Sequence, residues 1–253
     1  MREEGVTMSG HSKWATIKHA KGAADARRGK IFTKLIKEIS ISARMGGGNP
    51  DANPRLRTAI LKARSANMPK DNIDRAIKKG TGELEGVSYE ELTYEAYAGG
   101  GVALLIEVLT DNKNRAAADV RSILTKAGGQ LATAGAVSRL FKRQGLITLD
   151  GDKYTEDEVL EVALEGGADD VSCSDGIIQV ISAPEDFEAV VNALNEKEFE
   201  TMSAEISMIS EVDVSLENDA TSKVLKLIEK LEDNDDVQNV YSNISIPDGF
   251  EPE

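Results

Sequence analysis

Lys30-Ile31-Phe32-Thr33-Lys34-Leu35-Ile36-Lys37-Glu38-Ile39-Ser40-Ile41-Ser42-Ala43-Arg44 decides how the first third of the chain folds. At about 100° per residue, Ile31, Phe32, Leu35, Ile36 and Ile39 share one side. Lys30, Lys34, Lys37 and Arg44 fall in a narrow stripe opposite. The spacing predicts an amphipathic helix whose polar face is positive rather than mixed. Gly46-Gly47-Gly48 ends it. Asn53-Pro54 starts a second helix, with Asn as N-cap and Pro at the first position, and Leu56, Ala59, Ile60 and Ala63 form its apolar face. After the turn Asn67-Met68-Pro69 a third helix points Ile73, Ala76 and Ile77 inward, with Gly80 as its C-terminal stop. Residues 9–82 therefore read as a three-helix bundle.

The bundle is basic and the remainder acidic. Ser9 to Gly82 holds 17 Lys plus Arg against 5 Asp plus Glu, a net of +12. Glu83 to Glu253 holds 12 against 37, a net of −25, and the whole chain carries −14. A structural surface normally mixes both signs, so the basic residues as a set point to a polyanion partner. The candidate nucleic-acid-binding residues are Lys13, Trp14, Lys18, Lys21, Arg27, Arg28, Lys30, Lys34, Lys37 and Arg44. Trp14 and His19 fit a small helical core equally well. His11 to Lys21 has too few apolar residues at helical spacing to bury much surface, and is expected to order against a polyanion.

From Tyr89 onward short strands alternate with helices. Val102 to Leu109 is a strongly apolar strand, Asp111-Asn112 caps a helix, and Thr155 opens another. Asp175-Gly176 is a hairpin signal between Val171–Cys173 and Ile177–Ile181. This alternation predicts α+β modules of ferredoxin-like type.

Catalytic patterns are lacking. Both His lie in the basic segment, far from Cys173, so no nucleophile–base spacing stands out. One Cys forms neither an internal disulfide nor a cysteine-based zinc site. Neither Gly46-Gly47-Gly48 nor Gly99-Gly100-Gly101 follows a strand and opens a helix as phosphate loops do. Aromatic residues make up only 4% of the chain, too few for a multi-aromatic stacking platform. No enzyme, metal or cofactor is expected. With no apolar run near the ~18 residues of a membrane span and no signal-peptide core, a cytoplasmic monomer is the expectation. Met8 fits as the start of translation, because Met1 to Thr7 differ in character from the basic segment after them.

Ser9-Gly10-His11-Ser12-Lys13-Trp14, Arg28-Gly29-Lys30, Asn67-Met68-Pro69-Lys70, Gly80-Thr81-Gly82 and Tyr94-Glu95-Ala96-Tyr97 resemble the YebC-type family. These are bacterial relatives of the mitochondrial translational activator of cytochrome c oxidase. The resemblance covers Met8 to Pro247. It implies a helical N-terminal domain, an α+β domain built from 83–133 with 205–248, and an α+β domain inserted at 134–204. It implies no catalytic residues. Members are commonly labelled probable transcriptional regulators that bind DNA, and others act on translation at the ribosome.

Both functions stay open in the residues. Leu56–Asn67, the turn and Lys70–Lys79 mimic a helix-turn-helix, but Asp71 and Asp74 would face phosphates and the turn lacks Gly. The acidic body suits contact with basic ribosomal proteins. A basic module binding an acidic protein is a third reading.

Overall fold

In the computed structural model, residues 24–247 and Phe250 are described, with side chains from Gly29 onward. The bundle consists of α1 (Ala24–Gly46), α2 (Pro54–Ser65) and α3 (Lys70–Thr81). Asn53 is the cap that its position before Pro54 predicts. Its side-chain oxygen accepts from Leu56 N at 3.1 Å, satisfying one of the orphan donors of the first turn. Its amide donates to Ser42 O at 2.8 Å and Gly47 O at 2.9 Å, so one buried residue starts α2 and fastens the end of α1. Ile39, Ala43, Leu56, Ala59, Ile60, Ala63, Met68, Ile73 and Ala76 fill the core between the helices.

Gly80 is not a stop. α3 continues through it, and Gly82, at φ +83°, is the left-handed residue that ends the helix. Gly80 is instead where α3 crosses α1. A Cβ there would lie 2.3 Å from the Ser40 carbonyl oxygen and 2.8 Å from Ala43 Cβ. Ser40 Oγ donates to Ala76 O at 3.1 Å across the same crossing.

The chain continues through β1 (Glu90–Tyr97), β2 (Ala103–Thr110), α4 (Lys113–Lys126), β3 (Gln130–Leu131), β4 (Phe141–Asp150), α5 (Glu156–Glu165), β5 (Ala168–Ser174), β6 (Ile177–Ser182), α6 (Phe187–Glu196), β7 (Thr201–Ser210), β8 (Val214–Ser215), α7 (Asn218–Glu232), β9 (Val237–Ser242) and β10 (Ile244–Ser245). The α+β class is as expected. β4-α5-β5-β6-α6-β7 forms an antiparallel sheet in the order β5-β6-β4-β7, the ferredoxin-like arrangement, over the core of Ile147, Leu149, Val159, Ile178, Val180 and Leu194. Asp175 (φ +50°) and Gly176 (φ +74°) make its hairpin turn, both left-handed as a two-residue type I′ loop requires.

The outer sheet has the order β3-β1-β2-β9, with α4 and α7 packed on one face. It has the same alternating antiparallel layout but reaches it by another path. Its central pair, β1 and β2, is a direct hairpin, and each helix leads to an edge strand. The domain limits differ from the expected ones at one point. β7 pairs with β4 from Phe141↔Ser210 to Leu149↔Thr201, so residues 205–210 belong with the inserted sheet. An alternating stretch such as 204–214 declares itself a strand but not its partner.

Glu95 fixes the crossing from the outer sheet to the inserted one. Its carboxylate accepts from the backbone N–H groups of Gly135 (2.7 Å), Val137 and Ser138 (2.9 Å). Burial alone would raise its pKa; the three backbone hydrogen bonds outweigh that and hold it below the usual glutamate range.

Gly80→Ala tests the helix crossing. The added methyl meets a backbone oxygen that cannot rotate away, so a loss of about 1–3 kcal/mol in unfolding free energy is expected. Gly47→Ala, with open space around it but a left-handed φ of +84°, is expected to cost about 1 kcal/mol. Denaturant midpoints of the two variants check the ranking.

Candidate nucleic-acid interface

The positive stripe of α1 forms, but it faces the protein. Lys37 Nζ donates to Asp236 Oδ1 at 2.6 Å, to Asp235 O at 2.8 Å and to Leu109 O at 3.3 Å. It also sits 5.7 Å from the centre of the Tyr89 ring. The side chains of Lys37 and Asp236 are only 9% and 7% exposed, so the pair is closed to an outside phosphate. Lys34 Nζ donates to Glu232 O at 2.7 Å, and Lys30 pairs with Asp233 at 2.9 Å. Arg44 donates to Ser88 Oγ and to Tyr89 O. The expected nucleic-acid role is corrected for Lys37, which is closed to an outside phosphate; Lys30, Lys34 and Arg44 keep accessible surface while they help to fasten the bundle to the outer sheet and to the end of α7. The bonds differ in strength. Lys30 and Asp233 are 44% and 61% exposed, and such surface pairs contribute about 0–1 kcal/mol.

Asp236 is the hub. Besides Lys37, it accepts from Arg115 at 2.8 Å and from Thr110 Oγ1 at 3.0 Å. Burial pushes its carboxyl up, but the hydrogen bonds from Lys37, Arg115 and Thr110 and the Lys37 charge leave it below the ordinary aspartate range. Arg55 makes a second tie, bridging Glu38 on α1 (2.8 Å) and Glu91 on β1.

The receptor for Lys30, Lys34 and Lys37 is Glu232-Asp233-Asn234-Asp235-Asp236, a run that periodicity does not single out. A signal was present. Carboxylates crowd the C-terminus of a helix only against the macrodipole, which favours cations there. An acidic run in that place implies a cation arriving from elsewhere in the fold.

Lys13, Trp14, Lys18 and Lys21 lie outside the described residues. So does the expected ordering of the His11–Lys21 arm. Arg27 and Arg28 lie in α1, their side chains outside the description. Other cations remain on the surface of α2 and α3. Arg64, Lys70, Arg75, Lys78 and Lys79 are exposed or half-buried and make no ion pair or side-chain hydrogen bond among the described residues. Arg57 donates only to Pro50 O at 3.4 Å, and Lys62 pairs loosely with Glu205 on β7 at 3.5 Å. α3 starts at Pro69 with no side-chain cap. No described cluster of His, Cys, Asp and Glu suits a metal ion, and no described helix is long and apolar enough to cross a membrane.

Residues 12–83 match the TACO1/YebC protein N-terminal domain, and residues 89–244 match the TACO1/YebC second and third domain. The chain belongs to the TACO1/YebC family. A Treponema denticola protein named a probable transcriptional regulatory protein is 63% identical over 244 residues, covering 96% of this chain and 99% of its own. A Syntrophobacter fumaroxidans protein of the same name is 55% identical over 242 residues, covering 95% and 97%. The crystal structure of a conserved hypothetical protein from Aquifex aeolicus superposes with a TM-score of 0.83 at 45% identity, over 95% of this chain and 100% of that one. The family resemblance carried by the sequence motifs is thereby established, across the TACO1/YebC bundle and both sheet domains.

Lys37→Met tests the fastening of the bundle. It leaves Asp236 with less compensation in a closed site, so a loss of about 3–5 kcal/mol is expected, with faster hydrogen exchange at residues 232–236. The Asp236 carboxyl has a lowered folded pKa. Its stabilisation is therefore complete above the ordinary aspartate value, about 3.9, and is lost as pH falls through the lower folded value. Below about pH 4 the wild type should lose stability faster than Asp236→Asn does. Urea midpoints from pH 7 to pH 3 check this.

Proposed function

We propose that the protein is a nucleic-acid-binding regulator of gene expression that grips phosphates through α2 and α3. The observation that carries this is the set of surface cations without partners among the described residues, Arg64, Lys70, Arg75, Lys78 and Lys79, in a bundle of net charge +12. The relatives' name, probable transcriptional regulatory protein, supports a regulatory role, and DNA is the target that this name suggests. Phosphate contacts position a protein without reading sequence. The binding expected here is accordingly electrostatic and weakly sequence-specific.

A second reading, a translation factor acting on RNA at the ribosome, is favoured by a separate observation. The acidic sheets are fastened to the bundle by the Lys37–Asp236 pair, so they accompany it to any target. A body of net −25 is repelled by a long duplex, whereas a ribosomal surface offers basic proteins beside RNA phosphates.

Affinity for random-sequence duplex DNA and for purified ribosomes, each titrated with salt, tests both readings. On duplex, log affinity against log salt should fall by about 0.9 per phosphate contact. The triple variant Arg64→Glu, Lys78→Glu, Lys79→Glu should bind at least about tenfold more weakly, with a slope shallower by roughly 2–3. Lys30→Glu should change the slope by less than about one. Unchanged slope and affinity in the triple variant would remove the reading; tighter binding to ribosomes than to duplex at one salt concentration would select the translational form.

A further inference from the structure

A groove of about 470 Å³ runs along α3. One bank is the second half of α2 with the turn at Met68, and the other is the connection at Gly48 and Pro50 with Glu83. Its floor is apolar: Ile60, Met68, Ile73 and Ile77. Along α3 the lining residues Lys70, Asp74 and Lys78 recur every fourth position, which at 1.5 Å per residue spreads them over about 12 Å. Arg64 faces them from α2. The side chains of these three cations and of Asp74 make no hydrogen bond or ion pair among the described residues. The groove's other acid, Glu83, accepts from Thr81 Oγ1 at 3.0 Å.

This layout fits poorly with α3 as a duplex-reading helix. Such a helix must protrude into the major groove, and this stripe instead lines a groove shared with α2 and the Gly48–Pro50 connection. A carboxylate between two cations is also misplaced for a continuous phosphate track. It suits a ligand that is anionic at its ends, flat and apolar in the middle, and able to donate a hydrogen bond from its edge. An unpaired nucleotide has that chemistry, because its Watson–Crick edge is free only when the strand is single.

We propose that this groove holds one unpaired nucleotide of a bound strand, with guanine preferred. The base lies on the floor, and its N1–H and exocyclic amine meet the two oxygens of Asp74. Only guanine offers two such donors side by side. The neighbouring phosphates meet Arg64, Lys70 and Lys78. The proposal rests on the nucleic-acid reading above and narrows it to single-stranded segments.

The test uses the full chain and short oligonucleotide probes of one length at one salt concentration: G-containing RNA, the U-substituted RNA, the matching single-stranded DNA, the corresponding duplex, and poly-glutamate as a non-nucleic polyanion. The expected result is binding of the G-containing strands about tenfold tighter than of the U-substituted strand or the duplex. Asp74→Asn should remove that preference while leaving the salt slope unchanged, because no phosphate contact is lost. Ile77→Trp, which fills the floor, should do the same. Equal affinity for RNA and DNA strands assigns the site to unpaired strands in general, and about tenfold weaker DNA binding assigns it to RNA. Three outcomes overturn the proposal: equal affinity for G and U probes, a preference that survives Asp74→Asn, or poly-glutamate binding as tightly as the G-containing strand. If the G-containing and U-substituted strands and the duplex bind alike with a steep salt dependence, only this inference falls. If no nucleic acid binds, the broader reading falls with it.

Discussion

The buried pair of Lys37 and Asp236 is the interaction on which the relation of the domains depends. Removing two charges from water costs several kcal/mol per ion, and the cost is offset only where hydrogen bonds satisfy the remaining lone pairs and protons. Both conditions hold. The ammonium has three acceptors, Asp236 Oδ1, Asp235 O and Leu109 O. The carboxylate has three donors, from Lys37, Arg115 and Thr110. Those groups come from α1, from the end of β2 with the start of α4, and from the turn after α7. Segments 199 residues apart in sequence thus meet at one point. Loss of Lys37 or of Asp236 leaves the other buried with only part of its compensation, which couples the segments that meet here.

A consequence concerns charge. Lys30 and Lys37 of α1 pair with Asp233 and Asp236 after α7, so the protein's external field is not the field of its sequence. Among the described residues, exposed cations without an acidic partner stand on α2 and α3, while the negative charge belongs to the sheet domains. Electrostatic steering follows exposed charge. Under the proposed function it would draw a polyanion to the α2–α3 side and keep the acidic sheets away from it.

Much of the fold was legible. The caps Asn53, Asn112 and Thr155 formed hydrogen bonds to the expected turns, because capping is local and a short window contains both partners. The Asp175-Gly176 hairpin was legible for the same reason. The pairing of β7 with β4 and the path of the outer sheet were not, since strand alternation specifies a face but not a neighbour. Gly80 differs from the expected stop because a glycine near a helix end looks alike in sequence whether it ends the helix or, as here, lets the Ser40 carbonyl of another helix approach. The partners of the α1 cations are illegible for the same reason. Periodicity placed Lys30, Lys34, Lys37 and Arg44 correctly on one face of α1 but says nothing of what covers that face.

The distinction between the two sets of cations is therefore one of partner, not of charge density. A lysine stripe opposite an apolar face is equally compatible with solvent, nucleic acid or a carboxylate elsewhere in the chain. In a chain whose two parts carry +12 and −25, the intramolecular partner has a concentration advantage over any external one, because folding already holds it within reach. The cations left exposed are those whose faces no described acidic segment reaches. On α3 the carboxylates that accompany them, Asp71 and Asp74, stand one turn from Arg75 and from Lys70 and Lys78, within reach of them on an exposed helix face. Asp74 and the three cations beside it make no side-chain hydrogen bond or ion pair among the described residues, and an exposed pair at this spacing is worth only a few tenths of a kcal/mol, so a ligand carrying both an anion and an N–H edge would displace it at little cost.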